Sequence, residues 1–462
     1  MSTTVSSASG HAPVISPAER RQRRARLMSA LGERAVAVVR ASGHRIRNRD
    51  AEYAFRQDSD FLYLTGFNEA DAVAVLLPGR PEGEFVLFCL DKNPAMERWT
   101  GIRAGVEGAQ AQYGADQAFP VSELDRRMPE LLKGRDEVHC HLGISPEHDR
   151  QVIGWLNTLR QQARSGVNPP SRLVLLERLL HEQRLIKSEA EIAMMQHAAT
   201  TSARAHTRAM ASCRPGQLEY EIEAVLLGEF RCDGMEPAYT SIVGGGENAC
   251  ILHYVTNRSV LKAGELLLID AAGEHDGYAS DITRTFPVNG RFSPEQRVLY
   301  QLVLDAQKAA IAAAIPGNHW NQPHEAAVRV LVSGLVALGL LQGEVDELVR
   351  DPEPVAGEDK PQEAAYRQFY MHRTGHWLGL DVHDVGDYKV NGAWRTLEPG
   401  MVLTVEPGLY VSPADNVDPR WWNIGIRIED DVLITADGNR VLTAGVVKEI
   451  AAIEALMQAD AA

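Results

Sequence analysis

Four acids in this chain sit where carboxylates are costly. Asp270 ends the apolar run 266–269, and Asp281 lies inside the β-rich run 278–286. Glu406 ends the run 402–405, and Glu429 ends the alternating run 424–428. Each pair of runs reads as two strands folded back on one another. A hairpin centred between His275 and Asp276 predicts Asp270 opposite Asp281. A second hairpin, centred between Val417 and Asp418, predicts Glu406 opposite Glu429. Like charges directly opposite on a sheet destabilise it, unless a cation or a shared proton neutralises them. One such pair alone reads more readily as two solvated acids beside a turn. Two pairs built the same way point to an oxygen-rich metal site.

Histidines accompany the acids. His253 precedes the first hairpin, and His372, His376 and His383 fall within one glycine-punctuated stretch, 371–386. One imidazole added to four carboxylates makes five protein ligands, enough for two metals that share bridging oxygens. The other histidines would orient ligands or donate protons. Two metals about 4 Å apart suit hydrolysis: water is activated near neutral pH, the carbonyl is polarised, and a ligand carboxylate or imidazole carries the proton to a leaving amine. Arg427 lies two residues before Glu429, on the same strand face, where it would hold a carboxylate or form a surface ion pair.

The elements that must position these groups follow from local signals. Residues 1–16 are Ser/Thr/Ala-rich and read as a disordered tail. The basic run 20–26 reads as a solvated face of a helix over 17–31 that stops at Gly32. Strands are predicted over 35–39, 61–64, 72–77, 85–90 and 137–141, with helices over 122–132 and 146–163. That pattern is an α/β domain of its own, spanning 17–175. His139, His141 and His148 within it read as ordinary surface residues. A linker-like stretch, 165–171, precedes a more helical domain, 176–462. Ser188 with Glu191, and Ser293 with Gln296 behind Pro294, are capping boxes for two of its helices. Two further helices are predicted over 217–231 and 324–341. Gly244, Gly245 and Gly246 read as a turn or the rim of a binding site, and 351–362 as an acidic surface loop. Each half of this domain has helices and one two-acid hairpin.

Composition excludes some functions. A formal charge of −15 argues against a general nucleic-acid binder, and no apolar run is long enough to span a bilayer. Five scattered cysteines with no CxxC pair fit a reducing, cytoplasmic setting.

Several stretches together resemble the bacterial aminopeptidase P family, proline-specific metallopeptidases of the pita-bread fold. FRQDSD (55–60) and YLTGFNE (63–69) are similar to the family's N-terminal domain. LLLID, SDITRTFPVNG, GHWLGLDVHDVG, VLTVEPGLY and GIRIEDD are similar to its catalytic motifs. The resemblance implies a creatinase-N-like α/β domain followed by an α+β pita-bread domain with pseudo-twofold halves. It implies two divalent ions, manganese foremost, with Asp270 on one ion, His376 and Glu406 on the other, and Asp281 and Glu429 bridging. Glu406 would also shuttle protons. His253 and His383 would contact substrate or the developing oxyanion. His372 and Arg427 would stand behind the ligands, Tyr410 near them, and Trp99 would line a substrate pocket, across a subunit boundary of a homo-oligomer (tetramer or dimer). The implied reaction is release of the residue before proline from Xaa-Pro-Yaa peptides by a metal-bridged hydroxide. A prolidase cleaving Xaa-Pro dipeptides is the neighbouring alternative. A non-catalytic protein-binding module is disfavoured because all five ligand positions are filled.

Overall fold

The first element follows directly from residue order. Ser16 accepts a hydrogen bond from the Glu19 N–H at 3.1 Å, Pro17 occupies the first turn, and Gly32 ends the helix Pro17–Leu31. The computed structural model describes residues 12–350 and 363–459. The chain forms two compact units, residues 15–184 and residues 185–462 with 1–14. Residues 1–11 of the predicted tail and the whole acidic stretch 351–362 lie outside the described residues.

The N-terminal unit is an α/β domain around one six-stranded mixed sheet. Its order is Gln117–Pro120, Phe85–Cys89, Val73–Leu76, Ala35–Arg40, Glu137–Cys140, Arg172–Leu175. Val36, Val75, Phe88, Leu132 and Trp155 pack in its core. The strand predicted over 61–64 is instead a helix, Ser59–Thr65. Asp58 accepts from the Phe61 N–H at 2.8 Å and Gly66 closes the helix in the left-handed region (φ 65°). These two caps decide an apolar run whose periodicity alone fits either element. The expectation that His139, His141 and His148 are surface residues also fails. His139 and His148 are buried. His141 and His181 meet Asp60 Oδ2 at 3.0 and 3.2 Å, and Arg184 meets Oδ1 at 2.7 Å. Burial opposes the Asp60 charge, but these partners hold its carboxyl well below the usual range. Strand Arg172–Leu175 and most of the helix Glu177–Leu185 belong to this unit, so it ends nine residues after the expected boundary at 175.

The C-terminal unit has the expected two-halved α+β layout. Helix Glu189–Ser212 starts at the Ser188/Glu191 capping box, and Glu219–Cys232 follows it. Strands Ile242–Gly245, Leu266–Asp270 and Thr283–Pro287 form an antiparallel sheet. Gly244 and Gly245 are therefore strand residues rather than a turn. Asp276 (φ 47°) and Gly277 (φ 85°) form the two-residue turn between Gly273–His275 and Tyr278–Ala279. Positive φ at both central positions is the type I′ signature that Asp-Gly favours. The turn centre is thus one residue later than predicted. Asp270 pairs with Thr283, not with Asp281. A slip of two in pairing keeps Asp281 on the face of Asp270, because side chains alternate with period two.

The second half opens with helix Pro294–Ala313, behind the Ser293/Gln296 box, and helix Gln322–Ala337. Its acid hairpin has the predicted register: Val405 pairs with Asp430 and Gly408 with Arg427, so Glu406 faces Glu429. The ladder does not run through, however. It breaks at the acids into two sheets, Val402–Val405 with Asp430–Ile434 and Gly408–Val411 with Ile424–Arg427.

A fully buried ion pair ties the halves together. Arg284 Nη2 donates to Asp430 Oδ1 at 2.7 Å, both side chains being 0% exposed. Arg284 Nη1 also donates to the Glu429 carbonyl at 2.5 Å. Asp430 further accepts from Lys448, Gln307 and Thr443. Burial raises the Asp430 carboxyl, but Arg284 and Lys448 outweigh it and bring it from 3.8 to about 2. Its charged form therefore stabilises the fold above pH 4, and that contribution disappears as pH falls through about 2. Asp430→Ala strands the buried Arg284 and should cost about 3–5 kcal/mol in chemical denaturation at pH 7. The difference from the parent should shrink as pH approaches 2.

Candidate metal centre

The two broken hairpins bring their acids to one cavity of about 680 Å³. Asp270, Asp281, Glu406, Glu429, His253, His372, His376, His383 and Arg427 all line it. Asp281, His376 and Glu429 each offer a ligand atom within 4.8 Å of the others. His376 Nε2 lies 3.4 Å from Asp281 Oδ2 and 3.8 Å from Glu406 Oε1.

Backbone pairing aims His376. The Thr404 N–H donates to the His376 carbonyl at 2.9 Å, and the Glu406 N–H to the Thr374 carbonyl at 2.8 Å. Gly375 allows that approach, since a Cβ there would lie 2.0 Å from the Thr404 carbonyl oxygen. His376 Nδ1 faces the Trp377 carbonyl at 2.9 Å. A carbonyl only accepts, so Nδ1 carries the proton and Nε2 is directed at the acids. That tautomer, fixed by a backbone carbonyl, is the one metal-bound histidines adopt.

Arg427 is the counterweight among the acids. Its Nη2 donates to Asp270 Oδ2 at 2.6 Å, its Nη1 to Tyr410 Oη at 3.0 Å and its Nε to Thr283 Oγ1 at 3.1 Å. His372 Nδ1 donates to the Arg373 carbonyl at 2.8 Å, which leaves Nε2 to accept from Tyr410 Oη at 2.8 Å. Burial, with Arg427 nearby, pushes the His372 imidazole down to about 3, so it is neutral. Its 3.6 Å approach to Glu406 is thus no ion pair. His383 stands edge-on to His376, ring centres 4.2 Å apart. Tyr410 is buried behind the wall rather than in it. Trp99 belongs to the other unit, on helix Pro94–Thr100, where it is 85% exposed.

Three further groups have no role assigned to them from the sequence, although Thr283 and Asp431 fall within the motifs quoted above. Tyr239 Oη sits between the first pair of acids, 2.6 Å from Asp270 Oδ1 and 2.5 Å from Asp281 Oδ1. Thr283 Oγ1 donates to Glu429 Oε2 at 2.7 Å. Asp431 accepts the Asp281 N–H at 3.2 Å. A lone tyrosine, a strand threonine and a second acid after Glu429 give no local signal of their own; only the folded pairing shows their use.

The electrostatics call for cations. Burial raises Glu406 to about 7, with His376 and Arg427 opposing and Asp281 and Asp270 assisting. Burial, then Asp281 and Glu406, push Glu429 well above the usual range. Burial raises Asp270 too, although Arg427 opposes it. Burial would lower His376, but Asp281 and Glu406 lift it to about 9. Four carboxylates share Arg427 and the charged His376, whose Nε2 is aimed among them and would give up its proton to a metal ion. This donor set fits divalent metal ions, with oxygen ligands dominant.

Comparisons with known proteins agree with that chemistry. The profile of metallopeptidase family M24 matches residues 193–436, and that of the aminopeptidase P N-terminal domain matches residues 20–140. The Xaa-Pro aminopeptidase of Escherichia coli is 44% identical over 447 residues, 96% of this chain and 98% of that protein. Pseudomonas aeruginosa aminopeptidase PepP superimposes with a TM-score of 0.93 at 54% identity, covering 97% of this chain and 99% of that one. A zinc-substituted Escherichia coli aminopeptidase P in complex with product matches with a TM-score of 0.91 at 44% identity, covering 96% and 99%.

Raised carboxyls make metal binding a proton exchange. At pH 7 the metal-free site holds protons that a divalent ion must displace. Calorimetric titration of manganese into chelator-stripped protein at pH 7 should release about one proton or more, read as different apparent enthalpies in phosphate and Tris. Affinity should fall as pH drops below 7. Identical enthalpies in both buffers would show the acids already ionised.

Proposed function

Because the chain belongs to metallopeptidase family M24, we propose that it is a metal-dependent Xaa-Pro aminopeptidase. It would release the N-terminal residue from peptides with proline second. The observation that carries this is His376, its Nδ1 fixed on a carbonyl and its Nε2 turned to Asp281 and Glu406.

Asp270, Asp281, His376, Glu406 and Glu429 would hold two divalent ions. Bound there, the ions supply Lewis-acid activation of water and polarisation of the scissile carbonyl. The rest falls to the chain's own groups. The Glu406 carboxylate takes a proton from the attacking water and returns it to the leaving proline nitrogen. His253 and His383, on the cavity wall, hydrogen-bond the substrate carbonyl as charge develops on its oxygen. Neutral His372, braced by Tyr410 and Arg427, keeps the Glu406 side of the cavity free of a competing cation. Ala238, Ile242, Leu252, Val255 and Val382 add an apolar lining against which a pyrrolidine ring can pack.

Manganese is the proposed native ion, supported by the oxygen-rich donor set. A homo-oligomer is proposed as well. Trp99 at 85% exposure and Ile102 at 89% form an apolar edge that a neighbouring subunit would cover, and Trp99 would then line that subunit's substrate pocket. Five free cysteines support a cytoplasmic setting.

The test is hydrolysis of Ala-Pro-Ala beside Ala-Pro by manganese-loaded enzyme, with an EDTA-treated control. The tripeptide should be cleaved at least about tenfold more efficiently, a difference of roughly 1.4 kcal/mol in transition-state binding. Asp281→Asn should lower kcat/KM by about a hundredfold or more, beyond what loss of a merely supporting group costs. Preference for the dipeptide would make the protein a prolidase, and cleavage unaffected by EDTA would refute the metal mechanism.

A further inference from the structure

Another buried ion pair, Lys187 with Asp384, is untouched by the chemistry above. Lys187 Nζ donates to Asp384 Oδ2 at 2.9 Å, and both side chains are 1% exposed. The partners stand 197 residues apart in the chain. Lys187 is itself fixed at its backbone, where its N–H donates to the Gly400 carbonyl at 2.8 Å. Asp384 is the residue after His383.

The loop around Asp384 is folded on this ammonium. The Asp384 N–H donates to the Trp377 carbonyl at 2.8 Å, and the Gly379 N–H to the Asp381 carbonyl at 3.1 Å. The Gly379 carbonyl in turn accepts from the Ala279 N–H at 2.8 Å, two residues before Asp281. Gly379 is required by space alone. A Cβ there would lie 2.2 Å from Asp384 Oδ2 and 3.0 Å from Lys187 Cε. The loop begins next to His376 and returns through His383, which places the two imidazoles edge to face at 4.2 Å. The His383 ring carries no hydrogen bond to a described residue that would orient it independently.

A buried ion pair is a poor source of stability, since well-packed apolar groups do as well; what it supplies is one defined geometry. We propose that Lys187, acting through Asp384, is a positioning residue that sets His383 against the substrate carbonyl. The proposal rests on the peptidase reading of the cavity. It assigns Lys187 no contact with substrate or metal.

The test is a set of variants of the full-length, manganese-loaded enzyme on Ala-Pro-Ala. Lys187→Met with Asp384→Asn removes both charges at once. It should lower kcat by roughly ten- to a hundredfold, the scale of a small misplacement of a catalytic group. KM should change by less than about threefold, as expected when a transition-state contact is lost. Gly379→Ala leaves both charges but wedges them apart, and should have the same effect. The deciding readout is combination with His383→Ala. If Lys187 works through His383, each combined variant should be no more than about twofold slower than His383→Ala alone. Losses that multiply would overturn the proposal, because a general loosening of the fold would add to the histidine deletion. A Gly379→Ala enzyme with parental kcat would overturn it as well, even if the charge-free pair failed to fold. An inactive parent enzyme would instead overturn the peptidase reading, a result separate from any of these.

Discussion

Four carboxylates in one desolvated cavity repel each other, and most of the C-terminal unit is arranged around that repulsion. At an effective dielectric of about 20, two unit charges 4 Å apart cost about 4 kcal/mol. Four of them would not gather without opposing charge. Arg427 answers part of it, clamped on Asp270. Burial answers more by pushing protons onto Glu406 and Glu429. The remainder is the driving force for binding divalent ions. The same repulsion that strains the metal-free fold thus becomes affinity for cations.

Such a site needs a rigid frame, because a loose one would relieve the repulsion by moving the acids apart. The frame is made of pairings that cross between the halves. Arg284 reaches from the first hairpin to the Glu429 carbonyl and the Asp430 side chain. Thr283 bonds Glu429, and the Asp281 N–H rests on Asp431. Asp270, Asp281 and Glu429 are therefore each held partly by residues of the opposite half. The break of the second ladder at Glu406 and Glu429 belongs to the same design. Residues at a sheet junction can turn their side chains towards one point, whereas residues within an unbroken ladder stay in the pleat.

How much of this was legible beforehand depended on the range of the interaction. The capping boxes at Ser188 and Ser293 are local, and both helices start where those residues predict. The register of the Glu406–Glu429 hairpin followed from the spacing of its alternating runs. The first hairpin turns one residue later than the spacing of its acids predicts, because the backbone demands of Asp276-Gly277 decide its centre. The 61–64 run is helical for a similar reason, its caps at Asp58 and Gly66 outweighing its β-like composition. Tyr239 and Lys187 were beyond reach altogether. Their partners lie 31 and 197 residues away, and no spacing rule links them. His139 and His148 went wrong in the opposite sense, since a histidine in a strand or helix gives no sign of which way it faces.

The pairing of the first hairpin also bears on how this protein can change length over time. A change of length within the Asp276-Gly277 turn alters the loop type but leaves Asp270 matched to Thr283, because the strands and not the loop set that pairing. A single residue inserted between Asp281 and Thr283 would instead turn Asp281 to the opposite face and dismantle the centre at a stroke. The loop between Gly408–Val411 and Ile424–Arg427 stands in the same relation to Glu406 and Glu429, so both hairpins can change length at their tips and neither can beside its acids.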